Sequence, residues 1–246
     1  MKTMTLKETG KLRLPVIAVA FLATVALFGL TACKTTKQAR GVTESGFLGD
    51  YSQLQKGKSG QAKLIYIAPD VDWAKYTKMY IEPVELWKGD ETNSPLGELS
   101  KDDQQMLVNF FYTALNNELQ KSYTIVDKPG PDTLVLRAAV TEAKKSRPVG
   151  NLLTTIVPIG RALNMLKTVA FGKGIAVGDV QVEGELLDGV TNERLMAAVD
   201  RRVGTKALRT KFDGSWGDVK LAFEYWAERL ETRLVEVRAG KSGQED

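Results

Sequence analysis

A period-two alternation of apolar and polar residues between Ala176 and Gly204, "AVGDVQVEGELLDG" followed by "NERLMAAVDRRVG", constrains the fold more than any other stretch. Val180, Val182 and Leu186 fall on one face, and Gln181, Glu183 and Glu185 on the other. "DGVTN" lies between the halves and supplies the residues a tight turn needs. The pattern predicts a long antiparallel hairpin. Its apolar face requires a cover from elsewhere in the chain, while Glu183 and Glu185 read as its solvent side.

Two helices are available as that cover. In "SKDDQQMLVNFFYTALNNELQK", Ser100 is placed to cap, and Leu107, Phe110, Phe111, Ala114 and Leu115 form one face. In "SWGDVKLAFEYWAERLETRLVEVRA", Ser215 and Asp218 have the spacing of a capping box. Val219, Phe223, Trp226, Leu230 and Leu234 form its buried stripe. Further strands are predicted in "AKLIYIAPDVDWAKY", "YTKMYIEPVELW", "SYTIVD" and "DTLVLRAAVTEA". Pro83 marks an edge position or a bulge. Trp73, Trp87, Trp216 and Trp226 read as core. The expected fold is α+β: an antiparallel or mixed sheet covered on one face by two long helices, with an extra apolar segment at about 150–170.

The first 32 residues stand apart. A basic stretch with Lys2, Lys7, Lys11 and Arg13 precedes the uncharged run "LPVIAVAFLATVALFGL", the layout of a secretory signal. Removing it takes four of the 34 basic groups and one of the 30 acidic ones, leaving 30 against 29. The net charge of +4 therefore belongs mostly to the leader, and the nearly neutral remainder gives no reason to expect nucleic-acid binding. Leu30-Thr31-Ala32-Cys33 resembles the bacterial lipobox. That resemblance implies cleavage between Ala32 and Cys33, a diacylglyceryl thioether on the Cys33 sulfur and a further amide-linked acyl chain. Two or three chains make a stable membrane anchor. Lys34, where an aspartate would retain a lipoprotein in the inner membrane, implies the outer membrane with the domain facing the periplasm. The expected layout is a signal peptide over 1–32, a lipidated tether over 33–63, one α+β domain over 64–238 and a disordered tail over 239–246. Within the tether, Phe47, Leu48, Tyr51 and Leu54 read as a short docking segment.

Chemistry is constrained by what is missing. The sequence has no histidine, and its one cysteine is assigned to lipid. Ser-His-Asp and Cys-His catalysis are excluded, as are metal sites ligated by histidine or cysteine and any intramolecular disulfide. No Ser-x-x-Lys or Gly-x-x-x-x-Gly-Lys signature occurs, and "GKGIAVG" fails the dinucleotide spacing at Val177. Asp70 with Asp72, Asp102 with Asp103, and Glu183 with Glu185 remain as carboxylate pairs for hydrolase chemistry. No metal site and no cofactor beyond the covalent lipid are expected.

Two places qualify for contact with other molecules. One is the apolar stretch between Arg147 and Gly174, where Leu152, Leu153, Ile156, Ile159, Leu163 and Leu166 suit either a buried crossover, a membrane surface or a partner groove. The other is Asp200, Arg201 and Arg202, which read as an internal ion-pair network or as a patch for carboxylates and phosphates. "SGFLGDYSQL", "YIEPVELW", "GDVQVEGELLDGVTNERLMAAVDRRVG" and "WGDVKLAFEYWAERLETRL" together resemble the bacterial lipoproteins of domain of unknown function 3313. Thr191-Asn192-Glu193 stands where similar sequences carry Thr-Gly-Glu, and Asn tolerates the backbone such a turn needs. The resemblance implies an envelope lipoprotein and carries no catalytic residue. Three functions follow: a non-catalytic module for an envelope protein partner, a lipid or small-ligand carrier using the 150–170 segment, and a carboxylate-dependent hydrolase.

Overall fold

The predicted hairpin is the centre of the sheet in the computed structural model, which describes residues 36–89, 96–145, 178–204 and 215–240. The strands in chain order are β1 (Thr36–Gln38), β2 (Gln55–Lys56), β3 (Leu64–Ile67), β4 (Lys78–Ile81), β5 (Glu85–Leu86), β6 (Thr124–Ile125), β7 (Thr133–Lys144), β8 (Asp179–Asp188) and β9 (Arg194–Gly204). The helices are α1 (Lys101–Leu119) and α2 (Gly217–Arg238). The sheet order is β2-β3-β9-β8-β7-β4-β6, with β1 added to β9 and β5 to β7. β8 pairs antiparallel with both β7 and β9, whereas β4, β5 and β6 join in parallel, so the sheet is mixed as expected. Pro83 interrupts what the sequence reads as one strand, leaving β4 and β5 side by side along β7.

Both helices lie on one face. Ser100 caps α1, accepting from the Asp103 N–H, and Leu107, Phe111, Leu115 and Leu119 are buried. Phe111 stacks on Phe223 of α2 at 4.7 Å between ring centroids and 15° between planes, joining the helices over the sheet. Two local expectations change. Phe110 is 37% exposed with the Lys220 ammonium 3.9 Å above its ring, because it sits beyond the seam that Phe111 occupies. The predicted capping box of α2 does not form: Trp216 occupies the N-cap position without a side-chain cap, and Asp218 instead accepts from the Gly178 N–H at 2.8 Å.

The second face of the sheet departs most from expectation. Residues 36–63 are no free tether over their described length. β1 and β2 are sheet strands, and Phe47 and Leu48 are buried with Ala139, Ala197 and Val199 in a second cluster joined by Tyr51, Leu54 and Trp87. Burying each large apolar side chain contributes about 1.5–3 kcal/mol, enough to hold such a segment down. β7 shows the consequence, being buried on both faces along most of its length. The 150–170 segment, residues 1–35 and the tail from 241 lie outside the described residues.

Candidate functional site

The polar row of β8 has a roof. Gln181 and Glu183 are each 1% exposed and Glu185 is 4% exposed, so the side predicted to meet solvent is closed by residues 42–54. Gln181 treats the roof as a neighbouring strand: its Oε1 accepts from the Thr43 N–H at 3.0 Å, and its Nε2 donates to the Thr43 carbonyl at 2.7 Å. Glu183 accepts from the Ser45 N–H at 2.9 Å and the Tyr51 hydroxyl at 2.5 Å. Glu185 accepts from Arg137 Nη1 at 2.6 Å and Arg194 Nε at 2.8 Å. Arg194 also donates to the carbonyls of Leu48 and Asp50 at 2.6 and 2.7 Å. Burial pushes the Glu183 carboxyl above its ordinary range, with the donors from Tyr51 and Ser45 opposing that shift. Burial and the adjacent Glu183 likewise push the Tyr51 hydroxyl up.

The Asp200-Arg201-Arg202 motif splits between the faces. Asp200 and Arg202 are buried against α2 and the first strand. Asp200 accepts from Trp226 Nε1 at 2.7 Å, Gln38 Nε2 at 2.6 Å and the Lys63 N–H at 3.1 Å; burial still raises its carboxyl. Arg202 donates from Nε to Thr36 Oγ1 at 3.1 Å and from Nη2 to the Thr36 carbonyl at 2.8 Å. Its guanidinium lies 3.6 Å from the centre of the Tyr225 ring. Arg201 forks onto Asp179 at 2.9 and 2.6 Å and reaches Glu142 at 3.2 Å. As a recognition patch the motif is corrected: two of its three side chains are inside, and all three are engaged by this chain. They clamp β1.

Between the helices and the sheet lies a cavity of about 170 Å³. Phe111, Leu115, Leu136, Val182, Leu186 and Met196 wall it, with Trp226 and Leu230 from α2. Arg229, Arg233 and Glu236 stand on its α2 side, and Gly60, Gln61 and Ala62 belong to the loop across from them. Arg229 donates to the Gly60 carbonyl at 2.8 Å, tying that loop to the helix. The Arg233 Nε is buried without an acceptor among the described residues, although Nη1 pairs with Glu236 at 3.1 Å. Trp226 is thus both core and lining, while Trp73 and Trp216 are buried and Trp87 donates to the Ser45 carbonyl beneath the roof.

The remaining predicted residues fall as follows. Ala32 and Cys33 lie outside the described residues, as do Leu152, Leu153, Ile156, Ile159, Leu163 and Leu166. Asp103 is the helix-end carboxylate of its pair, held at about 2 by Lys145, Ser100 and Trp216. Asp72 accepts from the Ala74 N–H at the start of a short 3-10 turn over Trp73–Lys75. Among the described residues no group of three or more carboxylates is placed to hold a metal. Sequence reasoning missed Gln38, Arg137 and Arg194 as partners. The available signal was an acid–amide row on one strand facing arginines on both neighbouring strands.

A family model described as a protein of unknown function, DUF3313, matches residues 43–230. The chain belongs to this family. It is 27% identical over 190 residues to the uncharacterised lipoprotein YdcL of Escherichia coli strain K12, covering 75% of this chain and 83% of that one. Family membership and this likeness support a lipoprotein of unknown function. Solved structures with a related layout include a PelC dodecamer from Paraburkholderia phytofirmans, 14% identical with a TM-score of 0.37, covering 68% of this chain and 94% of that one. The lipoprotein GNA1162 of Neisseria meningitidis is 11% identical with a TM-score of 0.26, at 67% and 99% coverage.

Proposed function

We propose that the chain is an outer-membrane-anchored lipoprotein whose periplasmic domain binds without catalysing, and that its ligand is a small apolar molecule held between the sheet and α2. The observation that carries this reading is the cavity: about 170 Å³ walled by Phe111, Leu115, Leu136, Val182, Leu186 and Met196. An apolar cavity of roughly 150 Å³ stays dry and takes up benzene, so this volume suits an aromatic ring or a short alkyl group. This reading rests on described residues of the sheet and helices, while the 150–170 segment to which the sequence pointed lies outside them. Non-catalysis is supported by the fate of Glu183 and Glu185, which are buried and occupied, Glu183 by the Ser45 N–H and Tyr51 hydroxyl of the roof and Glu185 by Arg137 and Arg194 of the neighbouring strands. The anchor is supported by Leu30-Thr31-Ala32-Cys33 and the likeness to a lipoprotein, and outer-membrane placement by Lys34. No cofactor other than the lipid and no nucleic-acid partner enters this reading.

A second reading, an envelope protein partner, is favoured by the exposure of Phe110, Tyr112, Leu221 and Val235 on the helices. The experiment that separates the two is Ala198→Leu, since Ala198 lines the cavity. The added methylenes should abolish uptake of a naphthalene fluorophore, read through Trp226 emission, while raising the melting temperature. Unchanged uptake would sink the cavity reading. For the anchor, Cys33→Ser should end fatty-acid incorporation and leave the precursor uncleaved; a mature band of wild-type size would overturn it.

A further inference from the structure

Lipid anchoring of Cys33, on which this inference rests, leaves only Lys34 and Thr35 before the sheet begins at Thr36. Three Cα–Cα steps span at most about 11 Å. Thr36 cannot lengthen that reach by peeling away at no cost. It is buried, its hydroxyl and carbonyl are held by Arg202, and it stands opposite Gly204 in the ladder. Three residues on, the Ala39 N–H donates to the Arg201 carbonyl at 2.8 Å.

We propose that the end of the sheet carrying Thr36 and Gly204 is turned toward the bilayer, so that the domain is held at the lipid surface in one orientation. The charges at this end fit an anionic headgroup layer. Lys37, Lys101, Lys144 and Lys145 are exposed there. The contacts of Trp216 and Lys145 with Asp103 bring the start of α1 to the same end. Asp102 is exposed beside Lys101, while the other nearby acids are engaged within the domain: Asp103 by Lys145 and Trp216, Asp179 and Glu142 by Arg201, and Asp218 by the Gly178 N–H. Basic side chains beside an anionic leaflet add attraction that falls off within a Debye length, a distance comparable to the reach set by the two linking residues. The β8–β9 turn, with Val190 exposed, lies at the other end of β9, roughly 35 Å away for eleven residues of strand, and exposed Lys128 precedes the start of β7, which the Gly189 N–H joins at that same end.

The test uses the acylated full-length protein in vesicles of phosphatidylethanolamine and phosphatidylglycerol. Because the sulfur of Cys33 is the only native one on a cysteine and is consumed as a thioether, Lys37→Cys, Lys144→Cys, Lys128→Cys and Val190→Cys each offer one free thiol for an environment-sensitive fluorophore. With nitroxide on the lipid headgroups, labels at 37 and 144 should lose most of their fluorescence, and labels at 128 and 190 little. Equal quenching at both ends, in protein whose acylation is confirmed by mass, overturns the orientation and leaves the anchor standing. A mature protein without lipid mass removes the anchor, and the orientation falls with it.

Discussion

Among the described residues Glu183 is held by neutral donors: the Tyr51 hydroxyl and the Ser45 N–H reach its carboxyl, and no cation pairs with it. That choice sets it apart from Asp103, whose carboxyl is lowered by Lys145. Its carboxyl is raised in the fold by burial, so the folded state favours the protonated form. Its contribution to stability is therefore greatest below the ordinary carboxyl range and is lost as pH rises through the raised value. Glu183→Gln should remove this fall, because the amide oxygen still accepts from Ser45 and the amide nitrogen donates to Tyr51. Urea unfolding across pH 4 to 8 checks it, with the variant gaining on the wild type as pH rises, on the order of 1 kcal/mol near neutrality. A difference that does not change with pH would overturn the assignment. Asp103, held at about 2 by Lys145 first of all, runs the other way: its contribution is present at neutral pH and lost as pH falls towards 2.

Among the elements, β1 is the shortest strand to carry a specific role and the one least supported by its own sequence. Thr36–Gln38 has no apolar alternation, and it stays in place because Arg202 and Asp200 grip Thr36 and Gln38. Arg202→Met keeps the stem against Tyr225 and removes the donors. It should cost about 2–3 kcal/mol, since the buried Thr36 hydroxyl and carbonyl lose their donor and the Asp200 carboxylate loses a nearby compensating charge. Hydrogen exchange is the sharper measurement: the Ala39 amide should exchange far faster, with amides of β7 and β8 slowing or quickening only with global stability. Here the sequence was readable in part. "VDRRVG" was recognisable as a place where charges pair, and an internal network was one of its two readings. That it pins the first strand was not readable, because Arg202 and Thr36 are 166 residues apart. The helices show the reverse case. Ser100 and the Leu107-Phe111-Leu115 stripe act as local spacing predicts, whereas Asp218 leaves its capping role for Gly178 across a tertiary contact.

For the molecule as a whole, the sheet is covered twice, by helices on one face and by residues 42–54 on the other. Phe47→Ala tests how far the second cover depends on its apolar plug, which meets Trp87 edge-on at 5.6 Å. A loss of about 3–5 kcal/mol is expected from removal of a buried aromatic ring. Easier proteolysis within 42–54 should accompany it, and a variant equally stable and equally resistant would show that the roof is held by its hydrogen bonds to Gln181, Glu183, Arg194 and Trp87. From the chain alone came the hairpin, the two helices, the α+β class, the lack of histidine, the single cysteine and the basic-then-apolar stretch that precedes it. Each is a property of neighbouring residues or of composition, and needs no knowledge of what lies opposite. Tertiary structure decided that the polar face of β8 is interior, that the supposed tether is a roof, and that a cavity opens under α2. Those outcomes depend on pairs such as Thr43 with Gln181, 138 residues apart, whose meeting no local period encodes.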